Sequence, residues 1–485
     1  MLILKTDLNA LSKEKSLRQD FDFHLYRQYT ERDSYPFNDL FEIVVSPKIS
    51  LDDLQDNFFY CEIGDVDKEG FIVAQQLDKN ERTLLNENYF SKIEKGDIIS
   101  VEKGQMLLSK VRPNLKKYVR VTESNSYVYF TSAFINLKAK KIPVIMYYCL
   151  RKQFYIALMS VARQGKGYPT INEKDLVYLR FKKSIIDVLC AQEETITNQI
   201  LTIESQIEHL YNQIVPTQRI IDEIFEKRFV YPADLLNRLH KGMSYGTQKA
   251  KNTELNAFYS SLGELSAKRP LRASTRSRNP LFDEFEILLK RIGTIKLNEV
   301  VTYIDNGVSP EYNVSGEVPV IKTANITIDG LNLENIEFVG EKQHEDEQKS
   351  QIQFGDILIC NIGKCSLGKA TINTLNDKMF AAAETMIVRV DSKKYNPIFL
   401  CYFLNSVLGV YQFEREYTGT TNQIHISPQI VKEFVLPNIT PNEQEKIVND
   451  IQAEIDKQTF IKNEILSLRN RIEEIIEQSI QLDTD

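Results

Sequence analysis

Two stretches decide how this chain is read: Ile196-Thr-Asn-Gln-Ile-Leu-Thr-Ile-Glu-Ser-Gln-Ile-Glu-His-Leu210 and Ile447-Val-Asn-Asp-Ile-Gln-Ala-Glu-Ile-Asp-Lys-Gln-Thr-Phe-Ile461. In the first, Ile200, Ile207, Ile214 and Ile221 alternate with Ile203, Leu210, Thr217 and Ile224 at steps of three and four. The second continues through Ile465, Leu468, Ile472 and Ile475. Apolar residues at that spacing share one face of a helix, and an isoleucine-rich heptad seam favours a partner helix over solvent. Pro216 lacks an amide donor and is expected to kink or interrupt the first helix one turn after Leu210.

The seams are related to each other. Ile196, Ile200, Leu210, Ile214, Ile221 and Ile224 match Ile447, Ile451, Ile461, Ile465, Ile472 and Ile475, each 251 residues on. Upstream, Tyr60-Cys-Glu-Ile-Gly-Asp-Val-Asp-Lys-Glu-Gly70 resembles Val320-Ile-Lys-Thr-Ala-Asn-Ile-Thr-Ile-Asp-Gly330 at an offset of 260. Lys95-Gly-Asp-Ile-Ile99 resembles Phe354-Gly-Asp-Ile-Leu358 at 259. Three matches in one order with slowly drifting offsets indicate a duplicated unit of roughly 250 residues. Two matching seams in one chain favour pairing with each other, with Ile200, Ile207, Leu210 and Ile214 facing Ile461, Ile465, Leu468 and Ile472.

Ahead of each seam the pattern is mixed. Short β-branched runs at Asp97–Val101, Tyr127–Phe130 and Ile357–Cys360 lie between Gly, Asn and Asp, as strands with turns do. Ile145–Val161 and Ile398–Phe413 carry helical spacing. The expected class is α+β: two tandem mixed α/β domains, each followed by a long helix. The expected boundaries are 1–185 for the first domain and 186–230 for its helix. A partly helical, basic linker follows at 231–294, then the second domain at 295–440 and its helix at 441–485.

Charge is segregated along these parts. The chain has a formal net charge of −7. Residues 186–230 hold 8 acids and 3 bases, and 441–485 hold 11 and 5. Removing both leaves +4 for the remainder. Within 95–120 there are 7 bases against 2 acids, and within 138–183 there are 11 against 2. Basic windows inside a domain are the electrostatic footprint expected of a nucleic-acid binder. The linker run Lys268-Arg-Pro-Leu-Arg-Ala-Ser-Thr-Arg-Ser-Arg278 has five bases and no acid. No apolar run reaches the ~18 residues that a membrane span requires, so a cytoplasmic protein is expected. The six cysteines form no CxxC and do not cluster with the five histidines, so neither a metal site nor a disulfide framework is expected.

Enzyme signatures are missing. No two prolines are adjacent, so the Asn/Asp-Pro-Pro-aromatic loop of amino-methyltransferases does not occur; Asn396-Pro-Ile-Phe399 lacks the second proline. The Gly-Lys pairs at 165, 363 and 368 are followed by Gly, Cys and Ala, not by the Ser or Thr with which a P-loop holds magnesium. There is no Pro-Asp, HExxH, GxSxG or GxGxxG.

The run Gly96-Asp-Ile-Ile-Ser, then Leu107-Leu-Ser-Lys-Val-Arg-Pro-Asn-Leu-Lys116, resembles the target-recognition domain of type I restriction–modification specificity subunits. So do Gly355-Asp-Ile-Leu-Ile, Gly419-Thr-Thr-Asn-Gln-Ile-His-Ile-Ser-Pro428 and Leu436-Pro-Asn-Ile-Thr-Pro-Asn-Glu-Gln-Glu-Lys-Ile447. In the first copy the turn into the helix is Ala191-Gln-Glu-Glu194, without prolines. The resemblance covers about 35–230 and 295–480. It implies a non-catalytic subunit in which each recognition domain reads one half of a bipartite double-stranded DNA target. The two helices would pair as an antiparallel coiled coil that sets the distance between half-sites. Two methyltransferase subunits would dock on them and bring S-adenosylmethionine for adenine N6 methylation. Motor–nuclease restriction subunits would use ATP and magnesium. This chain would bind no cofactor itself.

The residues offer candidates for that role. Lys110, Arg112, Lys116, Lys117, Arg163 and Lys166 in the first half, with Lys364 and Lys369 in the second, are expected to neutralise phosphates. Tyr168, Thr420, Thr421, Asn422, Gln423 and His425 lie in polar loops set at matching places after a helix, and are expected to face DNA. About 30 helical residues at ~1.5 Å rise make a rod of ~45 Å, against ~34 Å for one duplex turn. The rival readings are a stand-alone nuclease with a cryptic site, a coiled-coil adaptor that binds protein rather than DNA, and a specificity subunit of a related phage-defence system.

Overall fold

The computed structural model describes residues 23, 26, 33–47, 49–80, 87–164, 167–232, 235–236, 281–364, 366–419 and 424–481. The chain divides into two compact units. One is Met1–Gln213 with Asn463–Asp485; the other is Ile214–Lys462. Helices named below are α1 (Pro143–Arg151), α2 (Tyr155–Val161), α3 (Glu193–Tyr211), α4 (Thr217–Phe229), α5 (Pro397–Asn405), α6 (Val407–Glu416) and α7 (Pro441–Gln481). No helix among the described residues is long and apolar enough to cross a membrane.

The first unit is built on an antiparallel sheet in the order Phe41–Ile43, Phe134–Ala139, Gln105–Ser109, Tyr118–Arg120. The strand Gln105–Ser109 is buried throughout, because both of its faces are covered. Met106 and Leu108 join a core with α1 and α2, while Leu107 joins a separate cluster with Val119 and Phe130. That second cluster lies under a three-stranded sheet, Gln75–Asp78, Asn57–Cys61, Val128–Phe130, whose last pair is parallel. Ser34–Pro36 pairs with Arg180–Lys182 and closes the unit.

The second unit repeats this plan. Its main sheet runs Val301–Asn306, Thr385–Val390, Ile357–Cys360, Ala370–Ile372, again antiparallel. Its second sheet carries Glu337–Val339, Val318–Ile321 and Met379–Ala381, the last pair again parallel. Thr294–Lys296 pairs with Val435–Pro437 as Ser34–Pro36 does with Arg180–Lys182. The mixed helix-and-sheet class and the tandem arrangement of related domains are therefore features of the molecule. The end of the span expected as linker belongs to this unit: Leu281–Ile292 is an amphipathic helix that buries Phe282, Phe285, Leu288 and Leu289. The basic run 268–278 lies outside the described residues.

Hydrogen bonds set the register between the copies. Tyr60 and Cys61 pair with Tyr129 and Phe130 as Val320 and Ile321 pair with Phe380 and Ala381. The expected offset of 260 holds for this strand. The Gly-Asp-Ile match does not. The Gly355 amide bonds the Asn373 carbonyl, the Asn373 amide returns to Asp356, and Asp356 Oδ2 accepts from the Gln353 amide. In the first copy these bonds are made by Gly104 to Val121, Val121 to Gln105, and Glu102 to Gln105 Oε1. Gly104-Gln105, not Gly96-Asp97, is the counterpart of Gly355-Asp356. Glutamine has replaced the aspartate. Where Asp356 forms a bidentate pair with Arg389 at 2.7 Å, Gln105 accepts from the Asn136 amide at 2.8 Å. Asp97 instead ties its segment to a distant turn, accepting from Thr131 Oγ1 and from the Ser132 amide and hydroxyl, each at 2.7 Å.

The seam residues lie in helices. The span 186–230 holds the end of Lys183–Ala191, then α3 and α4, and the chain leaves the helix at Asn212 and re-enters after Pro216. In the first unit Ile196, Ile200 and Ile203 share a core with Ile472 and Ile476, with Ile207, Leu468 and Ile475 half-buried beside them. Ile465 is also buried. Here α3 and α7 run antiparallel: Gln192 reaches the Ser479 carbonyl, and Arg469 donates to the Tyr211 hydroxyl. In the second unit α4 and the start of α7 do the same, through Val215 with Gln458 and Arg228 with Asp450. Leu210, Ile214 and Ile461 are half-buried.

Candidate nucleic-acid interface

In each unit one loop leaves the central strand of the main sheet and is held against a second loop that follows a pair of helices. In the first unit the Arg112 amide donates to the Pro169 carbonyl, and the Ile171 amide to the Lys110 carbonyl, both at 2.9 Å. In the second unit the Gly363 amide donates to Ile424 at 2.9 Å and the Ile426 amide to Asn361 at 3.0 Å. Val111 bridges Thr170 as Ile362 bridges His425. The loops expected at matching places after a helix are thus paired to equivalent strand ends.

Both loops have left-handed backbone at two positions, and the residues there differ. Arg112 and Lys116 have φ of 51° and 53°. Their counterparts are Gly363 and Gly368, with φ of 101° and 81°. Left-handed backbone suits glycine and costs other residues roughly 1 kcal/mol. Two cations in those places in one copy, where the other copy has glycine, mark a site where side chains matter more than local stability.

The candidate cations divide by what they touch. Lys110 pairs with Glu173 at 2.8 Å. Burial is the largest single influence on Glu173 and opposes its ionisation, but the Lys110 hydrogen bond, a backbone hydrogen bond and the Lys110 charge together hold the carboxyl below its ordinary range. Arg163 binds Asp175 at 2.9 Å, and that carboxylate is fully buried. Lys117 donates to the Ile63 carbonyl at 3.0 Å. Arg112 and Lys116 are different. The Arg112 guanidinium lies 5.0 Å from the centre of the Tyr168 ring, and the Lys116 ammonium 4.5 Å from that of Tyr155. Neither has an ion-pair partner among the described residues. A cation resting on an aromatic face keeps its N–H groups available for a ligand. Arg112 and Tyr168 are exposed; Lys116 is half-buried.

In the second unit Lys364 and Lys369 are exposed on the equivalent loop. His425 is exposed, and its Nε2 lies 3.0 Å from Thr418 Oγ1. Lys166, Thr420, Thr421, Asn422 and Gln423 lie outside the described residues. Beside the first loop an open groove of about 1160 Å³ is lined by Ile43, Ile99, Ser132 and Asn136, with the Lys110–Glu173 pair at its edge. Reasoning from basic residues alone missed the neutralising acids and the supporting rings. Asn172-Glu-Lys-Asp175 is a capping box, with Asp175 Oδ2 accepting from the Asn172 amide at 3.0 Å. That spacing is the signal that places Asp175 in the loop.

No family model matches the chain, and no curated protein does. Solved structures that it resembles include the type I restriction–modification S subunit from M. genitalium, with 14% identity over 92% of this chain and 95% of that one and a TM-score of 0.39. The HsdS subunit from Thermoanaerobacter tengcongensis shows 13% identity, 93% and 97% coverage and a TM-score of 0.29. A chain from work on complex assembly and conformational transition of the type I R-M system shows 13%, 92%, 97% and 0.35.

Proposed function

We propose that this chain is the DNA-reading specificity subunit of a type I restriction–modification complex, and that it is not itself an enzyme. One observation carries the reading. Both copies present, at the same strand end, a loop with left-handed backbone at its two ends, and in the first copy those positions hold cations that have no ion-pair partner among the described residues. Phosphates supply the missing counter-charge and give salt-dependent affinity. The paired loop after α2 or α6 brings Thr170 or His425 to the same edge, and base readout is assigned to that edge.

The remaining roles are those that the resemblance of the sequence motifs to type I specificity subunits implies. Each unit reads one half of a bipartite double-stranded target, and α3, α4 and α7 set the interval between the halves. Two methyltransferase subunits dock on those acidic helices and supply S-adenosylmethionine for N6 methylation of adenine. Restriction subunits bring ATP and magnesium. The setting is the cytoplasm.

Reversing charge at Arg112 and Lys116 tests the reading against a protein-binding adaptor. Arg112→Glu/Lys116→Glu is expected to weaken duplex binding by more than tenfold at moderate salt, with the thermal transition preserved. Unchanged duplex affinity would favour the adaptor. Cleavage or methylation of DNA by the purified chain alone would favour an enzyme.

A further inference from the structure

A buried arginine stands behind the first basic loop. Arg151, the last residue of α1, is 8% exposed. Its NH1 donates to the Lys116 carbonyl at 3.0 Å, and its NH2 to the Lys68 carbonyl at 2.5 Å. Glu69 Oε2 lies 3.5 Å from Arg151 NH2 and also 3.5 Å from Arg469 NH1 on α7. One guanidinium therefore ties the left-handed residue of the loop to the 67–71 turn, and through Glu69 to the C-terminal helix of the same unit. A fixed fork suits this work: two carbonyls are held in one plane by one side chain.

The second unit has a clamp at the same place made from different chemistry. Asn405 ends α5 as Arg151 ends α1. It is 3% exposed, donates to the Ala370 carbonyl at 2.7 Å and accepts from the Ala370 amide at 3.1 Å. Ala370 opens the strand just after that unit's loop, as Tyr118 does in the first. The Tyr118 carbonyl accepts in turn from the Tyr147 hydroxyl at 3.0 Å. Both copies thus fix the far end of the loop with a buried polar group from the end of the same helix. Only the first fixes a residue that resists its own backbone conformation.

We propose that Arg151 is a positioning residue for DNA binding: it holds Lys116 in the left-handed conformation and so presents Lys116 and Arg112 to the duplex. This rests on the reading of that loop as DNA-facing. Arg151 touches no phosphate or base itself. Its removal acts only through the two cations in front of it.

The test is a mutant cycle on the full chain with a mixed-sequence duplex, titrated over a range of salt. The proteins are wild type, Arg151→Met, Arg112→Ala/Lys116→Ala, and the three changes together. Arg151→Met is expected to weaken binding about tenfold and to lower the salt slope by about 1 to 2, as the double variant does. The triple variant should bind no more weakly than the double. Hydrogen exchange at the Leu115 and Lys116 amides, which bond to Arg112 and Pro113, should speed up in Arg151→Met. Arg151→Lys, which keeps a charge beside Glu69 and loses the fork, runs the same cycle if the methionine variant does not fold. Losses that multiply, with an unchanged slope for the Arg151 variant, would overturn the positioning role alone. Failure of wild type to bind duplex would overturn the DNA reading, and the positioning role with it.

Discussion

At the scale of single residues, the first loop spends local stability to display charge. Lysine at a left-handed position costs about 1 kcal/mol that glycine does not pay. Lys116→Gly is therefore expected to raise the unfolding free energy by about 0.5–1 kcal/mol in denaturant titration while weakening duplex binding. Lower stability would mean that Lys116 is there for packing. The acids behind the loop work the other way. Glu173 partly cancels Lys110, so Glu173→Gln is expected to tighten duplex binding a few-fold and steepen its salt dependence. Because hydrogen bonding depresses the Glu173 pKa, the ion pair contributes above the unfolded carboxyl range and is lost as pH falls through the lower folded value. The same tightening of duplex binding should therefore appear in wild type only under acid conditions. Basic composition pointed to this loop but could not rank its members. Lys110, Arg163 and Lys117 look like Arg112 and Lys116 in the sequence; only the buried Asp175, Glu173 and a backbone carbonyl separate them.

At the scale of elements, the duplication was legible because strand and helix cores keep their spacing. Tyr60 and Val320 take equivalent places in their strand pairs at the expected offset of 260, and Ile200 and Ile451 are both fully buried 251 residues apart. The Gly-Asp-Ile register was not legible. Gly96 and Gly104 both have left-handed backbone ahead of apolar residues, and only the bonds of Gln105 to Glu102 and Val121 tell them apart. Pro216 did what its missing amide requires, and the chain leaves the helix between α3 and α4. The seams give a direct stability test. Ile200→Ala in the first unit and Ile451→Ala in the second should each cost about 2–4 kcal/mol, whereas Phe460→Ser, 69% exposed on α7, should cost under about 0.5 kcal/mol. Equal effects at all three positions would show that the apolar face of α7 is not the one identified. Gly368→Ala should also destabilise, because its φ is 81° and an added Cβ would lie 2.8 Å from the Phe413 ring.

At the scale of the whole molecule, the two units share topology and differ in what they display. One presents arginine and lysine at positions where the other has glycine. One holds the base of its main sheet with an Arg–Asp pair and the other with a Gln–Asn pair. Equivalent folds with different surfaces suit the reading of two different half-sites. Removing one heptad from 441–485 is accordingly expected to change the unread gap between half-sites or abolish function, with the base identities of each half unchanged. The most direct test is to express the full chain with a type I methyltransferase subunit and map N6-methyladenine across the host genome. A single bipartite motif with a gap of fixed length is the expected result. Unmethylated DNA despite an assembled complex, or methylation at one continuous motif, would contradict it.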